Sequence, residues 1–212
     1  MKRFRFTLIA ICLFLVWLGW TDVNLFLRNR QPVEISIDEL TARGAPREWL
    51  HIDGGYQDVE QAISTSGSID LDALLVPLKA DPDDETIHIL VETRNPEVME
   101  LFSTYHFKTD SALEKEAFLE EHKDEIYGRR DITGMLITGL IASSNRDKLV
   151  SLAESTDLPL ADEVILISEG KEPASFRGFF FLGTGLFGLI FIGYRLRKGS
   201  RNDGGSTPVQ GR

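Results

Sequence analysis

Cysteine is nearly absent from this chain. Cys12 is the only one in 212 residues, so no disulfide can staple a domain and stability has to come from packing. A lipidated cysteine of the bacterial lipoprotein type would need a small residue before it. Ile11 stands there, and the apolar run continues past it, so Cys12 reads as a small buried hydrophobe. Basic residues are also scarce: 23 Lys and Arg against 33 Asp and Glu give a formal net charge of -10. Such a chain repels phosphate backbones, which excludes nucleic acid as a partner.

Recognisable catalytic and metal motifs are missing too. The four histidines, His51, His88, His106 and His122, form no His-x-His or His-Glu-x-x-His pair, so no metal is expected. Ser64, Ser66 and Ser68 lack the Gly-x-Ser-x-Gly frame of a hydrolase nucleophile. No glycine-rich loop ends in Lys-Ser or Lys-Thr, so nucleotide phosphates have no cradle. The turn Asp81-Pro82-Asp83-Asp84-Glu85 has neither the central glycine nor the spaced oxygens of a calcium loop. There is no repeat of fixed period, and no cofactor is implied.

What the chain does have is a long uncharged run near each end. Gly178 to Tyr194 carries no charge, with Arg177 before it and Arg195, Arg197 and Lys198 behind it. As a helix its residues would extend roughly 26 Å at about 1.5 Å each, close to the hydrocarbon thickness of a bilayer. Phe6 to Trp20 is the matching run at the other end. It begins like a secretory signal, yet Trp17-Leu18-Gly19-Trp20 stands where a small-x-small cleavage site would lie. The expectation is an uncleaved signal anchor, with Trp17 and Trp20, and Tyr194 on the second span, as interfacial anchors.

Charge then sets the expected topology. The N-terminal tail carries about +3 and the C-terminal tail about +4, which leaves -17 on the chain between them. Basic flanks stay on the cytoplasmic side. The expected order is therefore a cytoplasmic tail (1–5), a first span (6–22), an acidic extracytoplasmic domain (23–176), a second span (177–195) and a disordered cytoplasmic tail (196–212). The expected location is a bacterial inner membrane. In the second span, Thr184 and Gly188 have small-xxx-small spacing, suited to close helix packing against the first span, a second copy or another protein.

Between the spans the periodicity is first that of strands. Val33 to Ile37, Trp49 to Ile52, Leu71 to Leu78 and Thr86 to Glu92 read as strands separated by turn signals, whereas Tyr56 to Ile63 fits either period. Asp38-Glu39-Leu40 suggests a helical turn stopped by Gly44 and Pro46. Asn95-Pro96 opens a helix, and the capping box Ser111 to Glu114 opens another reaching about Ile126, stopped at Gly128. Ile132 to Ile141 reads as a strand whose glycines, Gly134 and Gly139, suggest a bulge or close backbone approach. Ser144 caps a short helix, and Val164 to Ser168 is the last strand. The class is α+β: a mostly antiparallel sheet or partial barrel with two to three covering helices, flanked by the two transmembrane helices. The unit 131–168 offers one parallel pair.

Two polar groupings stand out as a candidate site. His51 and Asp53, two apart on a strand, share a face. In Tyr127-Gly128-Arg129-Arg130-Asp131, adjacent arginines in an acidic domain suit carboxylate or anion pairing. His51, Asp53, Arg130 and Asp131 are thus the candidates, each with a plain structural alternative in strand-edge hydrogen bonds or local ion pairs.

The plan of two spans bracketing one exported domain resembles that of the Surfeit-locus cytochrome oxidase assembly factors, with Leu18-Gly19-Trp20 placed like part of their leader region. The likeness is one of plan, implies an assembly role, and carries no site residue. The favoured expectation is an accessory or assembly factor that meets a membrane-protein partner, or a second copy of itself, through its acidic domain. The alternative is a membrane-tethered enzyme or small-ligand-binding module with a site assembled from distant residues.

Overall fold

A computed structural model describes residues 2–65, 72–137, 140–156 and 158–202. It divides into two compact units: residues 1–30 with 173–212, and residues 31–172. Each is described by itself.

The first unit is a pair of helices, α1 (Lys2–Arg28) and α7 (Ser175–Asn202), both longer than the spans read from hydropathy. Within them Phe6–Arg28 and Phe176–Arg195 are long and apolar enough to cross a membrane. The helices run antiparallel, because contacts pair rising numbers on one with falling numbers on the other: Val23 and Asp22 with Gly178, Gly19 with Leu182, Val16 and Cys12 with Gly185, Cys12 with Gly188. Glycine is needed along this seam because backbones meet there. A β-carbon on Gly185 would sit 2.7 Å from Val16 Cγ2 and 2.8 Å from the Cys12 carbonyl oxygen. Cys12, Val23 and Ile192 are buried, while the large apolar side chains point away from the seam: Trp17 is 55%, Phe187 72% and Ile190 70% exposed. At one end of the pair Asp22 accepts two hydrogen bonds from Arg177, at 2.8 and 3.1 Å. The expected disorder of the C-terminal tail falls from residue 203 on outside the described residues.

Among the described residues the second unit is built on seven strands: β1 (Val33–Ser36), β2 (Trp49–Gln57), β3 (Ile63–Ser64), β4 (Leu74–Lys79), β5 (Ile87–Thr93), β6 (Arg129–Leu136) and β7 (Leu160–Glu169). The order β1-β2-β6-β7-β5-β4-β3 closes on itself through a β2–β4 pairing, so five strands form a small mixed barrel. Closure rests on two residue pairs, Tyr56 with Lys79 and Gln57 with Leu78. β1 lies parallel to the earlier part of β2. A strand has two edges, and β6 takes one of β2's; β1 and β4 share the other.

Alternation puts Leu50, Ile52, Leu78, Ile89, Val91, Ile132 and Ile167 inside, where they join Ile35, Ile37 and Leu40 in one cluster. The last two come from α2 (Ile37–Arg43), a helix capped by the Ser36 hydroxyl and ended by Gly44 at φ 73°. Helix α6 (Leu140–Glu154) covers the outside, laying Leu149 and Ala153 on Leu75, Leu90 and Leu166. At one end of the barrel α3 (Pro96–Ser103), capped by Asn95, packs Val98 and Phe102 with Ile126 against Leu74 and Val76.

Several local readings change. β2 does not stop at Ile52 but passes through Gly54-Gly55 to Gln57, with an irregularity between Ile52 and Gly55. Gly54, at φ 76°, takes the turn that lets the strand bend onto β4. β6 stops at Leu136, and α6 is already helical at Leu140, before the Ser144 cap. Gly139 lies outside the described residues. Gly134 sits where a β-carbon would come within 2.5 Å of the Ser168 carbonyl oxygen. The unit 131–168 yields an antiparallel pair, not a parallel one, because β6 and β7 overlap only through the last three residues of each. The parallel pairs are β1–β2 and β5–β7. The capping-box helix is two helices, α4 (Ala112–Glu121) and α5 (Lys123–Ile126), interrupted at His122.

Candidate functional site

The four residues singled out in the sequence do not meet in one cavity. His51 and Asp131 lie on the outward face of β2 and β6. His51 Nδ1 is 2.6 Å from Thr133 Oγ1, its cross-strand neighbour. Asp131 Oδ1 accepts the Gly54 N–H at 2.9 Å and so fixes the bend in β2. Asp53 is exposed beside them. Arg130, one residue from Asp131, falls on the opposite face of β6. Thr184 is exposed on α7, Gly188 faces Cys12, and Trp17, Trp20 and Tyr194 are exposed.

Arg130 belongs instead to the end of the barrel beneath α3. Its guanidinium pairs with Glu169 at the end of β7 and donates to Gln57 Oε1 at 3.3 Å. Gln57 in turn donates to the Glu125 carbonyl at 2.6 Å. One carboxylate oxygen of Glu169, Oε2, is buried without a hydrogen-bond partner among the described residues. Nearby on the β5–β7 pair, Glu92 accepts from the Ser168 hydroxyl at 2.7 Å and from Arg94 at 2.8 Å. Both Glu92 and Ser168 are buried. A cavity of about 640 Å³ opens over this end, with Gln57 and Arg130 as its floor, Glu97, Glu100, Leu101 and Thr104 on one side, and Phe118, His122 and Glu125 on the other. A broader hollow of about 950 Å³ near the end of α2 brings together Arg43, His88, Asp162 and Glu163. No group of three or more metal-binding side chains occurs among the described residues.

A third polar centre lies behind α3. Helix α3 runs into a π turn, Thr104–Lys108, which swings Tyr105 inward to donate to Glu60 Oε1 at 2.8 Å; Tyr127 donates to the other oxygen. Burial first, then the hydrogen bond and charge of Glu60, push Tyr105 up to about 12 and Tyr127 further still. Ionising either phenol would set a second negative charge against Glu60. The folded domain therefore keeps these protons above pH 10.0, where an unfolded chain releases them. The stability they contribute is complete below pH 10.0 and is lost as pH rises through about 12. In an alkaline titration the phenolate absorbance of Tyr105 and Tyr127 should appear only together with unfolding. Glu60→Gln should bring it to lower pH.

Gln57, Glu60, Glu92, Ser168 and Glu169 escape a sequence reading. Glu92 and Glu169 have one local signal, a carboxylate near the end of a largely apolar run, as Glu92 is after Ile87 to Val91. No family model, curated protein or solved structure matches the chain.

Proposed function

We propose that this chain crosses a membrane twice, with both ends on the cytoplasmic side, and presents its acidic domain outside as an accessory or assembly subunit acting by protein contact. One observation carries the reading: the helix pair is apolar outward and glycine-lined inward. In water such a surface would be a large exposed apolar patch. In lipid it is the favourable arrangement, since helices associate there through small residues and close packing. The basic flanks then place both ends on one side, and a domain of such negative charge is suited to meeting a basic partner surface. The dispersal of His51, Asp53 and Asp131 away from Arg130 speaks for contact over catalysis.

Crosslinking in intact membranes, followed by identification of the attached proteins, tests this. A discrete membrane-associated partner is expected. Recovery of the chain alone, as a monomer with no neighbour, would overturn the reading.

A further inference from the structure

Two helical faces meet over the polar floor at the barrel end. From α3 come Glu97, Glu100 and Leu101, with Thr104 of the π turn next; opposite them are Phe118 of α4, His122 at the junction and Glu125 of α5. Both sets follow the three-to-four residue spacing of one helix face, so the cavity between them is a groove. Its charges are unevenly spent. Arg130 is held by Glu169, and His122 Nδ1 lies 2.6 Å from Glu125. Glu97 and Glu100 are exposed and hold no ion pair among the described residues. The groove therefore offers uncompensated carboxylates beside an apolar wall of Val98, Leu101 and Phe118.

That layout matches one kind of side chain. Lysine and arginine bury an aliphatic stem on apolar surface while the charged head stays with acidic groups and water. A cavity of about 640 Å³ has room for such a side chain and an apolar neighbour. The -17 carried by the chain between its basic tails would steer a positive segment inward and repel an anionic one. A bare metal ion is a poor fit, for no three ligating side chains converge among the described residues. We infer that this groove is the docking site for the partner, and that the partner inserts a segment carrying lysine or arginine next to an apolar residue. The inference rests on the partner-binding function proposed above and adds where and by what chemistry the contact is made.

The test uses the full chain in phosphatidylcholine nanodiscs and two fluorescein-labelled peptides, one of repeating Lys-Leu-Ser and one of repeating Glu-Leu-Ser. Fluorescence anisotropy should show saturable binding of the basic peptide alone, above that of empty nanodiscs. Glu97→Gln with Glu100→Gln should raise Kd on the order of tenfold, a loss of about 1.4 kcal/mol. Asp81→Asn, Asp83→Asn and Asp84→Asn together remove more charge from an exposed turn while keeping its amide acceptors, and should change Kd by less than about twofold if attraction is local. No binding of the basic peptide, or equal weakening by both sets of substitutions, overturns the inference. If membrane crosslinking still captures a partner in that event, only the groove assignment falls. If it captures none, the function beneath it falls as well.

Discussion

Replacing Lys79 with methionine should destabilise the barrel domain by about 3–5 kcal/mol, the usual cost of leaving one member of a buried ion pair uncompensated. Lys79 Nζ lies 3.1 Å from Asp58 Oδ2, and both side chains are 9% exposed. Asp58 Oδ1 accepts the Gln61 N–H at 3.1 Å, so the carboxylate cannot simply swing into water. The position magnifies the effect, because Lys79 faces Tyr56 in one of the two residue pairs that close the barrel. Adding Asp58→Asn should recover a large part of the loss, since the amide oxygen keeps the Gln61 bond and no charge remains buried. Urea unfolding of the full chain in detergent, followed at Trp49 with Trp17 and Trp20 changed to phenylalanine, reads the cycle. Equal instability of the single and double variants would show that the charge was not the cause.

The second large effect belongs to the helix pair. A β-carbon built on Gly188 lies 3.8 Å from Cys12 Cβ, the typical separation across a disulfide. Because Cys12 is the only native cysteine, Gly188→Cys creates a single possible intrachain bond. Copper-phenanthroline oxidation should form it, keeping the two terminal helices joined after protease cuts the chain between them. Ile190→Cys, on the exposed side of α7, should leave them separate. Gly185→Leu in the Gly188→Cys background forces a side chain against Val16 and the Cys12 backbone. Overpacking of this kind costs about 1–3 kcal/mol, a factor of roughly 5 to 150 in the ratio of packed to separated helices, so the yield of crosslinked chains at short oxidation times should fall. An undiminished yield would mean that the helices do not pack along the glycine seam.

How much of this could be read from residues alone depended on range. The features legible in the chain were local ones: the caps at Asn95 and Ser111, the alternation in β5, and the two uncharged end runs. Each arises from a few neighbouring side chains and survives in almost any tertiary setting. Barrel closure did not show, because it depends on two residue pairs that a bend at Gly54 brings together. Strand direction at β6–β7 was misread for a related reason. The sequence marks a strand, a helix and a strand, but not that the strands overlap only at their ends.

The site suffered most. Arg130 and Glu169 are 39 residues apart, while Glu60 reaches Tyr105 and Tyr127 over 45 and 67. A single chain gives no sign of such pairings. His51 and Asp53 drew notice through spacing and Asp131 through the arginines beside it, yet alternation along β6 separates Asp131 from Arg130 and so splits the apparent cluster between two faces. The π turn that places Tyr105 has no counterpart in residue pattern; a helix continuing past Ser103 would have read the same.

Everything proposed for this protein turns on which side of a membrane the barrel domain occupies. In a cysteine-free background made by Cys12→Ser, Asp83→Cys would report the domain and Ser206→Cys the C-terminal tail. A membrane-impermeant maleimide added to intact, sealed cells stripped of any outer barrier should label the first directly and the second only after permeabilisation. Labelling of Ser206→Cys from outside, or protection of Asp83→Cys until the membrane is opened, would contradict the account.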